Sequence, residues 1–170
     1  MRLFGALLIF FASGYAGILM ARTFLDRPRN LRAFHVAIQA LETEINYTRT
    51  SLPEACLHIA IQSKPPISLF FQVFVEKLKC GEGISSKEAW DTALVILIDG
   101  GFSKDDIEKI ATLGNILGRS DADDQRKHLA LLQRQLVVTI DEAEADKEKN
   151  ARLWNYIGFC IGALVVVLLY

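Results

Sequence analysis

Charge is missing from both ends of this sequence. No Asp, Glu, Lys or Arg occurs from Leu3 to Ala21, and none from Leu153 to Tyr170. These runs approach the ~20 apolar residues that a helix needs to cross a bilayer core. Leu, Ile, Phe and Val fill nine positions of the first run and ten of the second. Each such residue contributes roughly −0.3 to −0.6 kcal/mol at the membrane centre. The expected organisation is a transmembrane helix over residues 1–21, a domain over 22–152 and a second transmembrane helix over 153–170. A cleaved signal peptide competes for the first run, because Gly14-Tyr15-Ala16 offers small residues at a cleavage spacing. The run is longer than the ~7–15 residues of a signal core, and arginines follow it closely, so a retained anchor is expected. Cleavage would instead leave an exported or periplasmic helical binding domain with a C-terminal membrane anchor.

A basic excess is also missing. All 20 acidic residues and all but one of the 19 basic ones lie between the apolar runs, and the chain's net charge is −1. A nucleic-acid partner is therefore not expected. The local basic residues speak to orientation. Arg22, Arg27, Arg29 and Arg32 follow the first run against one acid, Asp26, while Lys147, Lys149 and Arg152 precede the second. The positive-inside rule then puts the middle of the chain in the cytoplasm and both termini outside.

Catalytic and metal motifs are absent as well. Cys56, Cys80 and Cys160 show no CxxC spacing and form no disulfide framework, which suits a reducing compartment. His35, His58 and His128 are scattered, with no second ligand at zinc spacing. There is no GxxxxGK[ST], HExxH or GxSxG. The aspartates of Gly118-Arg119-Ser120-Asp121-Ala122-Asp123-Asp124 resemble a calcium loop only in part. Counted from Asp121, position 6 is Arg126 and position 12 is Leu132, where glycine and glutamate are needed. Carboxylates just ahead of an apolar seam are the usual start of a helix, where they cap free N–H groups and interact favourably with the positive end of the dipole. No catalytic residue, metal or cofactor is expected.

What is present is helical patterning. Leu31, Phe34, Ile38, Leu41 and Ile45 recur three and four apart, as do Leu129, Leu132, Leu136, Ile140 and Ala143. Pro28 suits a first helical turn, and Thr48–Ser51 is expected to end that helix. Ser51-Leu52-Pro53-Glu54 and Ser85-Ser86-Lys87-Glu88 both read as capping boxes. Their offset of 34 residues matches a tetratricopeptide period, but two similar helix starts explain it without a repeat. A second helix runs to about Ser63, before Lys64-Pro65-Pro66. A third, from about Pro66 to Lys79, carries Leu69, Phe70, Phe74 and Leu78; its Phe and Val content also fits a strand, but length and period favour a helix. The fourth holds Trp90, Leu94, Leu97 and Ile98 and stops at Asp99-Gly100-Gly101. Ser103 opens a fifth, to about Leu117. No proline or glycine interrupts Arg119 to Ile157, so the sixth helix is expected to run into the second span. The fold class is all-α, a six-helix bundle flanked by transmembrane helices.

Two sets of residues stand out. Asp121, Gln125 and His128 share one face beside the Leu129 seam, either as a docking patch or as a hydrogen-bonded rim of the core. In the apolar runs, Gly158 and Gly162 form a GxxxG, Asn155 lies near that face, and Ser13, Gly17 and Ala21 repeat a small residue every fourth position. Small residues let helix backbones approach closely in lipid, so the spans are expected to pack with each other or with copies of themselves. The run Asp141–Lys149 reads as a solvated helix face.

Ala40–Tyr47 with Leu52-Pro53-Glu54-Ala55, Ala89–Leu94, Leu117–Asp121 with Gln125 and His128-Leu129, and Trp154–Phe159 together resemble the stage III sporulation protein AB family of endospore-forming bacteria. The resemblance covers essentially the whole chain in the same order. Thr50-Ser51 departs from it where Thr-Pro would be expected, and Cys56 where leucine would. The resemblance implies a membrane protein of the mother cell, a subunit of the channel or feeding apparatus between mother cell and forespore, with other channel subunits as partners. It implies a helical domain similar to one cytoplasmic domain of type II secretion F platform proteins. The further implied partner is a secretion-type ATPase, stage III sporulation protein AA, docked on exposed polar faces, with Glu42, Glu44, Asp121, Gln125 and His128 as candidates.

Overall fold

The structure is a computed structural model describing residues 26–45, 50–80, 83–117 and 122–169, with the backbone alone described at 122–123 and 150–169. Among the described residues there are six helices and no strand. We number them α1 (26–43, closing in a π-type turn at 44–45), α2 (Leu52–Gln62), α3 (Ile67–Lys79), α4 (Ser86–Asp99), α5 (Lys104–Gly114) and α6 (Ala122–Leu169). Two compact units are distinguished. One is Arg29–Asp141. In the described part of the other, Arg27 Nη1, on a half-buried side chain, lies 3.7 Å from Oδ2 of exposed Asp146, a pair of small energetic weight.

The apolar spacing sets which faces are buried. Leu31, Phe34, Ile38 and Leu41 of α1 are fully buried, and Leu129, Leu132, Leu136, Ile140 and Ala143 of α6 are buried as well. Segment 67–79 is a helix, as its period requires: Ile67, Phe70, Phe71, Phe74 and Val75 bury one face. Leu69 and Ile98, two of the apolar positions that mark these helices in the sequence, are about half exposed at 44% and 54%. In each helix the buried stripe is set by bulkier neighbours, Phe70–Phe71 in α3 and Trp90–Leu97 in α4. Leu69 and Ile98 fall outside those stripes.

The helix starts separate the two expected capping boxes. At Ser85 the box is complete: Ser85 Oγ accepts from Glu88 N at 3.2 Å, and Ser85 N donates to Glu88 Oε2 at 2.9 Å. At Ser51 it is absent, and the side chain makes no cap bond. The Glu54 N–H is already used by the Ser51 carbonyl at 3.0 Å, and Pro53 has no N–H to offer. Ser103 and Asp106 form a box of their own, with Asp106 buried. Ser85→Ala should therefore cost about 1 kcal/mol of stability, and Ser51→Ala almost nothing. Denaturant melts of the two variants check this, and equal losses would contradict the assignment.

The α4–α5 junction fixes the pitch between those helices. Gly101, with φ of +86°, takes the left-handed position after α4. Gly101 N donates to Ile98 O and Phe102 N to Leu97 O, the two bonds of a Schellman ending. The left-handed residue is thus the second glycine. The first, Gly100, is small for another reason: a Cβ there would lie 2.5 Å from Pro66 Cγ. Asn30 Nδ2 donates to Gly100 O at 2.8 Å, and Phe102 is buried with its ring 6.0 Å from that of Phe34. The junction is thereby held by α1.

The core centres on Trp90. Its ring meets Phe70 and Phe74 edge-to-face at 4.8 and 5.0 Å, and its indole N–H donates to Ile110 O at 3.1 Å. One α4 side chain therefore joins α3 to α5.

α5 ends at Gly114, and a turn carries the chain to Leu117. Residues 118–121 and 46–49 lie outside the described residues, as does the first apolar run. α6 continues through 146–153 without a break. Among the residues whose side chains are described, no helix is long and apolar enough to cross a membrane.

Candidate functional site

Within the Arg29–Asp141 unit, α5 and α6 enclose a groove of about 440 Å³. Its floor is Leu113 and Leu132, both buried, and its α6 wall carries half-exposed Leu131 and exposed His128. A second, shallower hollow adjoins it, lined by Arg134 and Val138 and sharing Lys109 and Gln135. The seam and cap patterns place these residues: Ser103 and Asp106 set where α5 begins, and the Leu129–Leu136 stripe turns Leu131 and His128 away from the core.

A polar clasp crosses between the two helices. Lys109 Nζ lies 2.6 Å from Asp105 Oδ2 and donates to Thr139 Oγ1 at 3.1 Å. Buried Thr139 passes its own hydrogen to Gln135 O at 2.9 Å. Both partners of the Lys109 ammonium are thus in place, which leaves it a structural cation. Among the described residues no buried polar side-chain atom lacks a partner, and no cluster of His, Cys, Asp or Glu could hold a metal ion. The arrangement offers a surface that can be covered, with an apolar floor and a polar rim.

The sequence candidates fall in separate places. His128 lines the groove, and Gln125 is half-buried one turn earlier on α6. Asp121, Ser13 and Gly17 lie outside the described residues, and at Asn155, Gly158 and Gly162 only the helical backbone is described. Glu42 accepts from Gln133 Nε2 at 2.7 Å, tying α1 to α6. Glu44 accepts from Thr50 Oγ1 at 2.9 Å and lies 3.5 Å from His58 Nδ1, joining the end of α1 to α2. Lys109, Thr139 and Arg134 were not among the sequence candidates. The Asp105–Lys109 spacing of four is the one local signal they carry; the Lys109–Thr139 pairing spans 30 positions and has none. Burial pushes the Cys56 thiol pKa upward and the His35 pKa downward.

Comparison with known proteins fits this fold. The sequence profile of stage III sporulation protein AB matches residues 2–170. The chain belongs to the stage III sporulation protein AB family. Stage III sporulation protein AB of Bacillus subtilis (strain 168) is 34% identical over 170 residues, 99% of each chain. A solved structure of a stage III sporulation protein AB superposes with a TM-score of 0.67 at 34% identity, covering 73% of this chain and 98% of that one.

Proposed function

We propose that this protein is a non-enzymatic membrane platform subunit of the mother cell–forespore channel complex. In this reading residues 1–21 and 153–170 span the mother-cell membrane, and the helical domain over 22–152 docks a cytoplasmic secretion-type ATPase. The observation that carries it is the family match over residues 2–170. Two further features support it: the two uncharged apolar runs with arginine and lysine on their inner flanks, and a groove whose cation is already neutralised. Work from a motor would reach the bundle by contact and be passed along α6. The domain in this reading is akin to one cytoplasmic domain of a secretion F platform protein. The ends pack with each other or with other copies through Ser13, Gly17, Asn155, Gly158 and Gly162.

Two measurements test this. Full-length protein in detergent should retain the ATPase, stage III sporulation protein AA, on a column at physiological salt. No retention at low or physiological salt, in either nucleotide state, would remove the docking role. Topology is read from Cys80, which is exposed. A membrane-impermeant maleimide should leave Cys80 unlabelled in intact cells and label it once the cells are opened. Cys56 should stay silent in the folded protein, because it is buried and its thiolate is disfavoured. Labelling of Cys80 in intact cells would put the domain on the other side and favour the exported reading.

A further inference from the structure

The outer face of α4 is built unlike a simple solvated surface. Its buried residues, Ala89, Trp90, Ala93, Leu94 and Leu97, point to one side. On the opposite side, Asp91, Val95, Ile98 and Asp99 follow at i, i+4, i+7 and i+8, which is one helical stripe. All four are exposed, Val95 and Ile98 by 55% and 54%. Two β-branched apolar side chains thus stand in water between two carboxylates, and neither carboxylate has a bonding partner among the described residues.

Asp99 is the more telling of the two. It lies in the last turn of α4, which contains no basic residue, so its charge faces the negative end of the helix dipole. Among the described residues no bonded cation offsets that. A cation from outside would relieve the dipole conflict and the isolated charge together, while an apolar side chain beside it would cover Val95 and Ile98.

We infer that the α4 face formed by Asp91, Val95, Ile98 and Asp99 docks a basic amphipathic helix of a protein partner. Charge selects that occupant. A second copy of the same face would set carboxylate against carboxylate, Asp91 on Asp91 in a parallel pair and Asp91 on Asp99 in an antiparallel one. An anionic lipid surface would be repelled for the same reason. The eight-residue separation of the aspartates is about 12 Å along a helix. The matching partner carries Lys or Arg about eight residues apart, with apolar residues between them facing Val95 and Ile98. This holds whichever protein supplies the helix, so it can stand or fall apart from the ATPase reading.

The test uses full-length protein in detergent and two synthetic helical peptides. One carries lysines eight residues apart flanking two leucines; the other has glutamates in place of the lysines. The lysine peptide should bind about ten-fold more tightly, with the difference shrinking as salt is raised. In the Asp91→Lys/Asp99→Lys variant the preference should invert. Val95→Ser/Ile98→Ser should weaken the lysine peptide while leaving the far-ultraviolet circular dichroism unchanged, because all four positions are exposed. Equal binding of the two peptides, or a preference unmoved by the charge swap, would overturn the proposal. So would self-association of the wild type that the Val95/Ile98 variant abolishes, which would identify a second copy as the occupant.

Discussion

Trp90→Ala is expected to lower the unfolding free energy by about 3–5 kcal/mol, the range for removing a large buried aromatic side chain. For a chain of this length that is a fall of roughly 10 °C in melting temperature. Three losses add in the same direction. The indole is fully buried, so a cavity opens between α3, α4 and α5. The edge-to-face contacts with Phe70 and Phe74 vanish, each pair being worth about 0.5–1.5 kcal/mol beyond its buried area. The Ile110 carbonyl also loses the donor 3.1 Å away. Trp90→Phe separates these terms. It keeps a ring in the cavity but removes the N–H, so its loss should be clearly smaller, with the hydrogen bond contributing about 1 kcal/mol. Denaturant unfolding of both variants in detergent checks the order. Equal losses would mean that the ring kept by phenylalanine contributes nothing, contrary to the geometry.

Gly114→Ala is expected to destabilise, although alanine favours a helix over glycine by about 1 kcal/mol. A Cβ at residue 114 would lie 2.6 Å from Trp90 Cδ1 and 2.8 Å from Trp90 Cγ. Those are atoms of a rigid ring that also packs against Phe70 and Phe74, so a shift of the indole disturbs its contacts with α3. Overpacking of this kind typically costs 1–3 kcal/mol, roughly, and should exceed the propensity gain. The double variant gives the sharper test. With Trp90→Ala already present the obstruction is gone, and adding Gly114→Ala should become neutral or stabilising. The coupling is therefore expected to be large and positive. A stabilising Gly114→Ala in the wild-type background would show that α5 can move away from Trp90.

The same residue pair shows where local patterning stops. Trp90 reads as core from its spacing with Leu94 and Leu97, and Gly114 reads as an unremarkable glycine inside a helix. Nothing within a few residues of Gly114 reports that an indole on another helix requires it. Gly100 is similar. Its sequence context, Asp-Gly-Gly after an apolar helix, announces a helix end, but Gly101 takes the left-handed position and Pro66 is what keeps residue 100 small. At Ser51 the pattern misleads, because the rule for a capping box looks at residues one and four and passes over the Pro53 between them. Leu69 and Ile98 show a related limit: spacing identifies the helix, but which stripe faces inward depends on the neighbouring helices.

Sequence alone determined that the chain is helical, where most helices begin and stop, and that α1 and α6 each present one continuous apolar seam. These follow from interactions within four residues, which the order of side chains encodes directly. Tertiary structure decided the rest: the Trp90 hub, the Asn30 bond to the α4 ending, the conversion of Glu42 and Glu44 into internal ties, the Lys109 clasp and the groove beside it. Each of these joins groups far apart along the chain. Their energies depend on distances that only the packed helices set.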